Sequence, residues 1–174
     1  MKEILKKISP KTLEWINVII EIQKWSKNKY ELDKETGLVM LDRVMHTSQD
    51  YPFDYGFVPN TLRYDGDPLD VVLLTTYPLL PGILVEARPV AIMDMIDSGE
   101  WDAKIIAVPV SDPRFKNVRN LDDINPHTIK EIEHFFTTYK NIQNKICTIE
   151  KVEWKDEAMD AINKSIELYK ESQE

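Results

Sequence analysis

A single cysteine, Cys147, occurs in the 174 residues, so no intrachain disulfide is available and the apolar core must hold the fold. A lone thiol at the edge of an apolar stretch reads as a small core hydrophobe. Long apolar runs are missing too: none approaches the roughly 20 residues needed to cross a bilayer. The opening segment Met1–Ile8 mixes lysine and glutamate into its apolar residues, unlike a secretory leader. The chain is therefore expected in the cytoplasm, without a membrane partner. There is no basic run, and the formal net charge is −8, which argues against nucleic acid as a partner. Neither a His-Glu-x-x-His motif nor a cysteine pair is present, so the usual zinc patterns are excluded, and His127 and His134 are assigned packing or subunit contacts. Repeats, linkers and low-complexity segments are also lacking. Hydrophobic residues make up 43% of the chain, enough for one core, so residues 1–174 are expected to form a single domain.

What the chain does have is a dense acidic turn, Asp65-Gly66-Asp67-Pro68-Leu69-Asp70, with Asp97 and Asp102 further on. Three acids within one short turn repel one another unless water solvates each of them or a cation neutralises them. An acidic turn on its own usually faces water. Here the apolar run Val71-Val72-Leu73-Leu74 follows at once, which places the acids at the mouth of a buried strand. Gly66 and Pro68 stiffen the turn so that the side chains can converge. An EF-hand is excluded, because counting from Asp65 puts Leu69 and Asp70 at its fifth and sixth positions and Thr76 at its twelfth. A few aspartates facing a cleft suit magnesium, which keeps several waters and favours phosphate oxygens.

A second set of residues suits a polyanion. Lys29-Tyr30-Glu31, Asp42-Arg43, Tyr51-Pro52-Phe53-Asp54-Tyr55-Gly56, Lys104 and Tyr139-Lys140 fall at the starts or ends of expected elements, where side chains reach into clefts. Each alone would be an ordinary surface cation or packed tyrosine. Together, ammonium and guanidinium groups neutralise phosphate charge while phenols donate hydrogen bonds to its oxygens.

The pattern of elements is strand-rich first and helical last. Strands are expected over 15–22, 29–32, 38–44, 70–74, 82–93 and 104–110, all within one closed, twisted sheet, with a last strand over 146–154. Apolar residues recurring from Ile129 to Tyr139 predict a helix from after Asn125-Pro126 to about Asn141, with Thr128 and Glu131 as a capping box. A second helix is expected from about Asp156, with Ala158, Ala161, Ile162, Ser165, Ile166 and Tyr169 on one stripe.

The residues now carry a family resemblance. From Ile20-Glu21-Ile22 through Lys29-Tyr30-Glu31, Leu41-Asp42-Arg43, Tyr51 to Pro59, the Asp-Gly-Asp-Pro-Leu-Asp hexapeptide, Pro81-Gly82, Arg88-Pro89, Asp97 to Lys104 and on to Tyr139-Lys140, the chain resembles the magnesium-dependent first family of soluble inorganic pyrophosphatases, bacterial type. The resemblance implies an α+β, mainly β fold: a five-stranded closed barrel of the oligonucleotide-binding type with helices packed outside, assembled as a homohexamer. It implies an inorganic diphosphatase that hydrolyses pyrophosphate to two orthophosphates. Asp65, Asp70, Asp97, Asp102 and Glu31 would serve as metal ligands, Asp67 as general base, and Lys29, Arg43, Tyr55, Lys104, Tyr139 and Lys140 as phosphate binders. Glu21 and Arg88 would belong to a wider polar shell. Several Mg2+ ions per site are implied, with Mn2+ or Zn2+ as substitutes and Ca2+ as an inhibitor.

The chemistry of the residues agrees with direct attack by a metal-bridged hydroxide, without a covalent phosphoenzyme. The segment Gln23-Lys24-Trp25-Ser26-Lys27-Asn28 departs from the family's usual proline and glycine-containing loop, and Trp25 is expected to pack at an edge. Asp54 stands where asparagine is frequent and Ser98 where an acid is often found. Two other classes remain to be weighed. A carbohydrate hydrolase would use a carboxylate pair but not this set of cations and phenols. A nucleic-acid-binding barrel would use Tyr51, Phe53 and Tyr55 for stacking, against the charge balance.

Overall fold

The computed structural model describes residues 6–11, 14–33 and 35–174; residues 1–5, most of the charged opening segment, lie outside that range. Among the described residues, eight strands and two α-helices follow in the order β1 (Ile16–Ile22), β2 (Asn28–Leu32), β3 (Val39–Val44), β4 (Asp54–Phe57), β5 (Asp70–Leu73), β6 (Leu84–Asp97), β7 (Glu100–Pro109), α1 (Pro126–Thr138), β8 (Cys147–Trp154) and α2 (Lys155–Glu171). β1, β4, β5, β7 and β6 hydrogen-bond in that order, and β6 returns to β1, closing a five-stranded ring. Among the described strands only the β5–β7 pair is parallel. Closure removes the open edges that a flat sheet would leave.

The long strand β6 serves three neighbours. Its first residues pair with β1, the stretch from Ala87 to Asp97 with β7, and its second half with β8. The change of partner falls at Pro89, where the register with β7 shifts. Proline has no N–H to give a ladder, so a bulge is where a strand tolerates it. Period-2 alternation then sorts the core. Val71, Leu73, Ile105 and Ala107 join the apolar cluster that includes Ala158, Ile162 and Ile166 of α2. Val72, Ile106 and Val108 join the one that includes Ile132, Phe135 and Phe136 of α1.

Several expectations are corrected. β2 and β3 do not enter the closed sheet but form a hairpin of their own, and most of β3 is exposed. β4 was not foreseen, because Tyr51-Pro52-Phe53 reads locally as a corner. Gly56 is what admits it: a Cβ there would lie 1.9 Å from the Ile19 carbonyl oxygen. β6 continues to Asp97 and β7 begins at Glu100, because Ser98 and Gly99, with φ of 56° and 93°, make the tight turn that hairpins favour. The capping box is absent. Asn125 caps α1 instead, its side chain accepting from the His127 amide at 2.9 Å, with Pro126 as the first helical residue. Trp25 is 59% exposed and takes a positive φ of 70°, a costly state for a bulky residue. Hydrogen bonds from its amide to the Tyr51 carbonyl at 2.7 Å and from the Lys24 amide to buried Asp54 at 2.8 Å hold it there.

The contact at Gly56 yields a stability prediction. Because the neighbour is backbone and cannot step aside, Gly56→Ala should lower Tm by more than about 10 °C, read by circular dichroism melting; an unchanged Tm would contradict the packing described.

Candidate active site

The acidic turn connects β4 to β5 and is built by local hydrogen bonds. The Arg63 amide donates to the Asp67 carbonyl at 2.7 Å, and the Gly66 amide to the Arg63 carbonyl at 3.0 Å. Gly66 takes a φ of 86°, which glycine adopts without a Cβ penalty. The Asp65 carboxylate accepts the Asp67 amide at 3.0 Å, as aspartates do in turns. Buried Thr61 pins the two ends, accepting the Leu69 amide at 2.9 Å and donating to the Val58 carbonyl at 2.6 Å.

Asp70 opens β5 directly opposite Lys104 of β7, and Asp102 precedes Lys104 by two residues on the same strand face. The Lys104 ammonium lies 2.6 Å from Asp70 Oδ2 and 2.7 and 2.6 Å from the two Asp102 oxygens. Burial works against the Lys104 charge, but Asp70 and Asp102 outweigh it and raise the pKa above the usual lysine value. Burial likewise raises Asp102, an effect that Lys104 opposes.

A second knot surrounds Asp97 at the end of β6. Its carboxylate accepts the Tyr139 hydroxyl at 3.0 Å, the Ser98 hydroxyl at 2.9 Å, the Cys147 thiol at 3.4 Å and the Lys140 ammonium. Burial pushes Asp97 up, yet the Lys140 and Ser98 hydrogen bonds and the Lys140 charge win and bring it down to about 2. Cys147 is buried, as expected of a small core residue, and burial pushes its thiol up to about 11.

The β2–β3 hairpin brings the third group. Lys29 and Arg43 are cross-strand partners; Lys29 pairs with Glu31 and, at 3.2 Å, with Asp42, and Arg43 with Asp42 at 2.7 Å. Glu21 of β1 accepts the Leu32 amide at 2.7 Å. Burial raises its pKa to about 7 against that hydrogen bond, with Asp70 and Glu31 adding to the rise.

Every residue given a site role from the sequence except Arg88 lines one cleft of about 700 Å³. Arg88 donates instead to the carbonyls of Phe115 and Val118, at 3.3 and 3.1 Å, and so ties down the 113–119 turn. Thr61, Lys6, Asn60, Tyr169, Ser172 and Gln173 also line the cleft, and no local signal in the sequence marks them. Among the described residues lining it there is no histidine or cysteine. An oxygen-only donor set fits hard cations such as Mg2+ better than soft ones. As placed, no three His, Cys, Asp or Glu side chains among the described residues stand close enough to share an ion, and the Lys104 ammonium stands between the nearest two carboxylates.

A closed barrel that sets aspartates against lysines, an arginine and phenols in one cleft defines an enzyme of phosphate chemistry. The family model for inorganic pyrophosphatase matches residues 18–170. The chain is 46% identical to the inorganic pyrophosphatase of a Nostoc species over 89% of this chain and 92% of that one. It is likewise 46% identical to that of Haloferax volcanii over 94% and 93%. The crystal structure of the Thermus thermophilus inorganic pyrophosphatase superposes with a TM-score of 0.90 at 40% identity, covering 94% of this chain and 95% of that one. The chain belongs to the inorganic pyrophosphatase family, an enzyme of the inorganic diphosphatase class, and its barrel is of the oligonucleotide-binding type.

Glu21 supplies a pH prediction for the metal-free protein. Its folded pKa of about 7 lies above the ordinary carboxylate value near 4.3. The stability it contributes is therefore fully present below about pH 4.3 and is lost as pH rises through 7. In chelator at pH 8, Glu21→Gln should melt about 3–6 °C higher than the wild type, and the difference should shrink toward pH 5. Equal melting curves at pH 8 would show that Glu21 is not held in this state.

Proposed function

We propose that this chain hydrolyses inorganic pyrophosphate to two orthophosphates with the help of several Mg2+ ions. The observation that carries the reading is the convergence in one cleft of the acids Asp65, Asp67, Asp70, Asp97, Asp102 and Glu31 with Lys29, Arg43, Lys104, Lys140, Tyr55 and Tyr139. Asp65, Asp70, Asp97, Asp102 and Glu31 would hold the ions. Bound divalent cations lower the pKa of water and screen phosphate charge.

The protein's own groups do the rest. Asp67 stands exposed at the tip of its turn and takes the proton of the attacking water. Lys29 and Arg43 reach the cleft from the hairpin, and Lys104, Lys140, Tyr55 and Tyr139 from the barrel and from the end of α1. They align the two phosphoryl groups and spread the charge that builds on the leaving phosphate. Because the nucleophile is water, no protein side chain has to carry a phosphoryl group.

The same reading takes residues 1–174 as one domain acting in the cytoplasm. Among the described residues no helix is long and apolar enough to cross a membrane. We also infer a homohexamer. Val39, Met40, Leu41 and Val44 of β3 are exposed, as are Leu80, Ile83 and Leu84, and Val39 adjoins Gly82 between them. A strand this apolar calls for cover.

Phosphate release from pyrophosphate tests the core of the proposal. Release should need Mg2+, stop on chelation and be inhibited by Ca2+, whose larger radius and looser coordination misplace the attacking water. Asp67→Asn should lower kcat by about 10²–10⁴-fold while calorimetry still detects Mg2+ binding. Undiminished cleavage after thorough chelation would end the proposal.

A further inference from the structure

The three lysines assigned to phosphate each rest on a carboxylate assigned to metal: Lys29 on Glu31, Lys140 on Asp97, and Lys104 on Asp70 and Asp102. Lys104 is the extreme case. An ammonium has three protons to donate, and three carboxylate oxygens accept from it at 2.6–2.7 Å. Its side chain is 5% exposed, so water does not compete for those protons. In this arrangement Lys104 has nothing left to offer a phosphate oxygen.

We infer that Lys104 is a resident counter-ion that keeps Asp70 and Asp102 together in position and gives way to a divalent cation, and that only then does its ammonium turn to phosphate. The inference rests on reading Asp70 and Asp102 as cation ligands. A magnesium ion binds oxygen at about 2.0–2.1 Å and so competes with the ammonium for the same oxygens, and the two positive charges repel strongly at such separations. A second perch is available to the released lysine. Its Nζ already lies 5.7 Å from the Tyr55 ring centre and 6.0 Å from that of Phe136, within cation–π range. The Tyr55 phenol also lies beside Asp70, so that carboxylate keeps a polar neighbour when the ammonium departs. Lys104 is thus both a positioning residue for the ligands and a latch that makes phosphate binding follow metal loading.

The test is calorimetric titration of MgCl2 alone, at pH 8, into wild type, Lys104→Met and Lys104→Arg. Losing the resident cation should tighten Mg2+ binding by about tenfold or more in Lys104→Met, a gain that a merely structural lysine would not produce. Lys104→Arg keeps the charge and should bind Mg2+ no more tightly than wild type. Mg2+ binding to Lys104→Met that is unchanged or weaker overturns the inference while leaving the ligand assignment intact. If the wild type takes up no Mg2+, the ligand assignment fails and the inference with it. Should Lys104→Met not fold in chelator, lysine-ammonium NMR of the wild type decides. The Lys104 signal should be protected from exchange in chelator and move on Mg2+ addition, and a signal unmoved at saturation overturns the exchange.

Discussion

A buried ammonium shared by two carboxylates constrains the whole architecture. Lys104 reaches Asp70 because β5 and β7 run parallel in a register that sets these two residues opposite each other, and it reaches Asp102 because the two share a strand face. A one-residue slip of β7 would turn both polar side chains toward the cluster in which Ala103 and Ile105 now pack and send those apolar residues to the cleft. Breaking a buried pair of this kind costs about 3–5 kcal/mol, so the register of the ring and the charge arrangement of its floor stabilise each other. The tight turn at Ser98 and Gly99 then brings Asp97 to the same end of the barrel as Asp102.

The aromatic residues carry this order from the barrel to α1. Tyr51, Phe53, Tyr55, Phe135, Phe136 and Tyr139 form a continuous group of ring contacts, from 4.8 Å between the centres of Tyr51 and Phe135 to 6.4 Å between those of Tyr55 and Phe136. Tyr55 and Tyr139 each bury a ring in the group; the Tyr139 hydroxyl donates to Asp97, and the Tyr55 phenol lies beside Asp70. An amphipathic side chain of this kind fixes a polar tip by packing its body. The end of α1, and Lys140 after it, is therefore placed by apolar packing, although the use made of it is electrostatic.

How much of this was legible follows from what is local. The acidic turn could be read because Gly66, Pro68 and the apolar run after Asp70 are adjacent in sequence, and the helices because their stripes repeat. β4 could not, since its place depends on Gly56 lying against the Ile19 backbone, a contact between distant segments. The separation of β2 and β3 from the ring was hidden for a related reason: their apolar composition resembles that of the barrel strands, yet β3 leaves most of it exposed. The site residues were chosen by type and motif, but their pairing was not visible. Lys104 meets Asp70 across 34 positions and Lys140 meets Asp97 across 43. Arg88 shows the limit of motif reading, because its guanidinium answers two backbone carbonyls away from the cleft.

Charge bookkeeping in the cleft ties the proposed chemistry to the composition of the chain. Among the described residues, seven carboxyl side chains line it, Glu21, Glu31, Asp65, Asp67, Asp70, Asp97 and Asp102, against five cationic ones, Lys6, Lys29, Arg43, Lys104 and Lys140. Three of those five are already bound to carboxylates of the same cleft, and Arg43 to Asp42 beside it. A pyrophosphate approaching this surface meets excess negative charge and occupied donors. On the proposed reading, each divalent ion added to the acids would change both conditions together, reversing the local sign and releasing a lysine toward the anion. An acidic protein could then bind an acidic substrate without a basic patch, its donors matched to the phosphates only once the ions are in place.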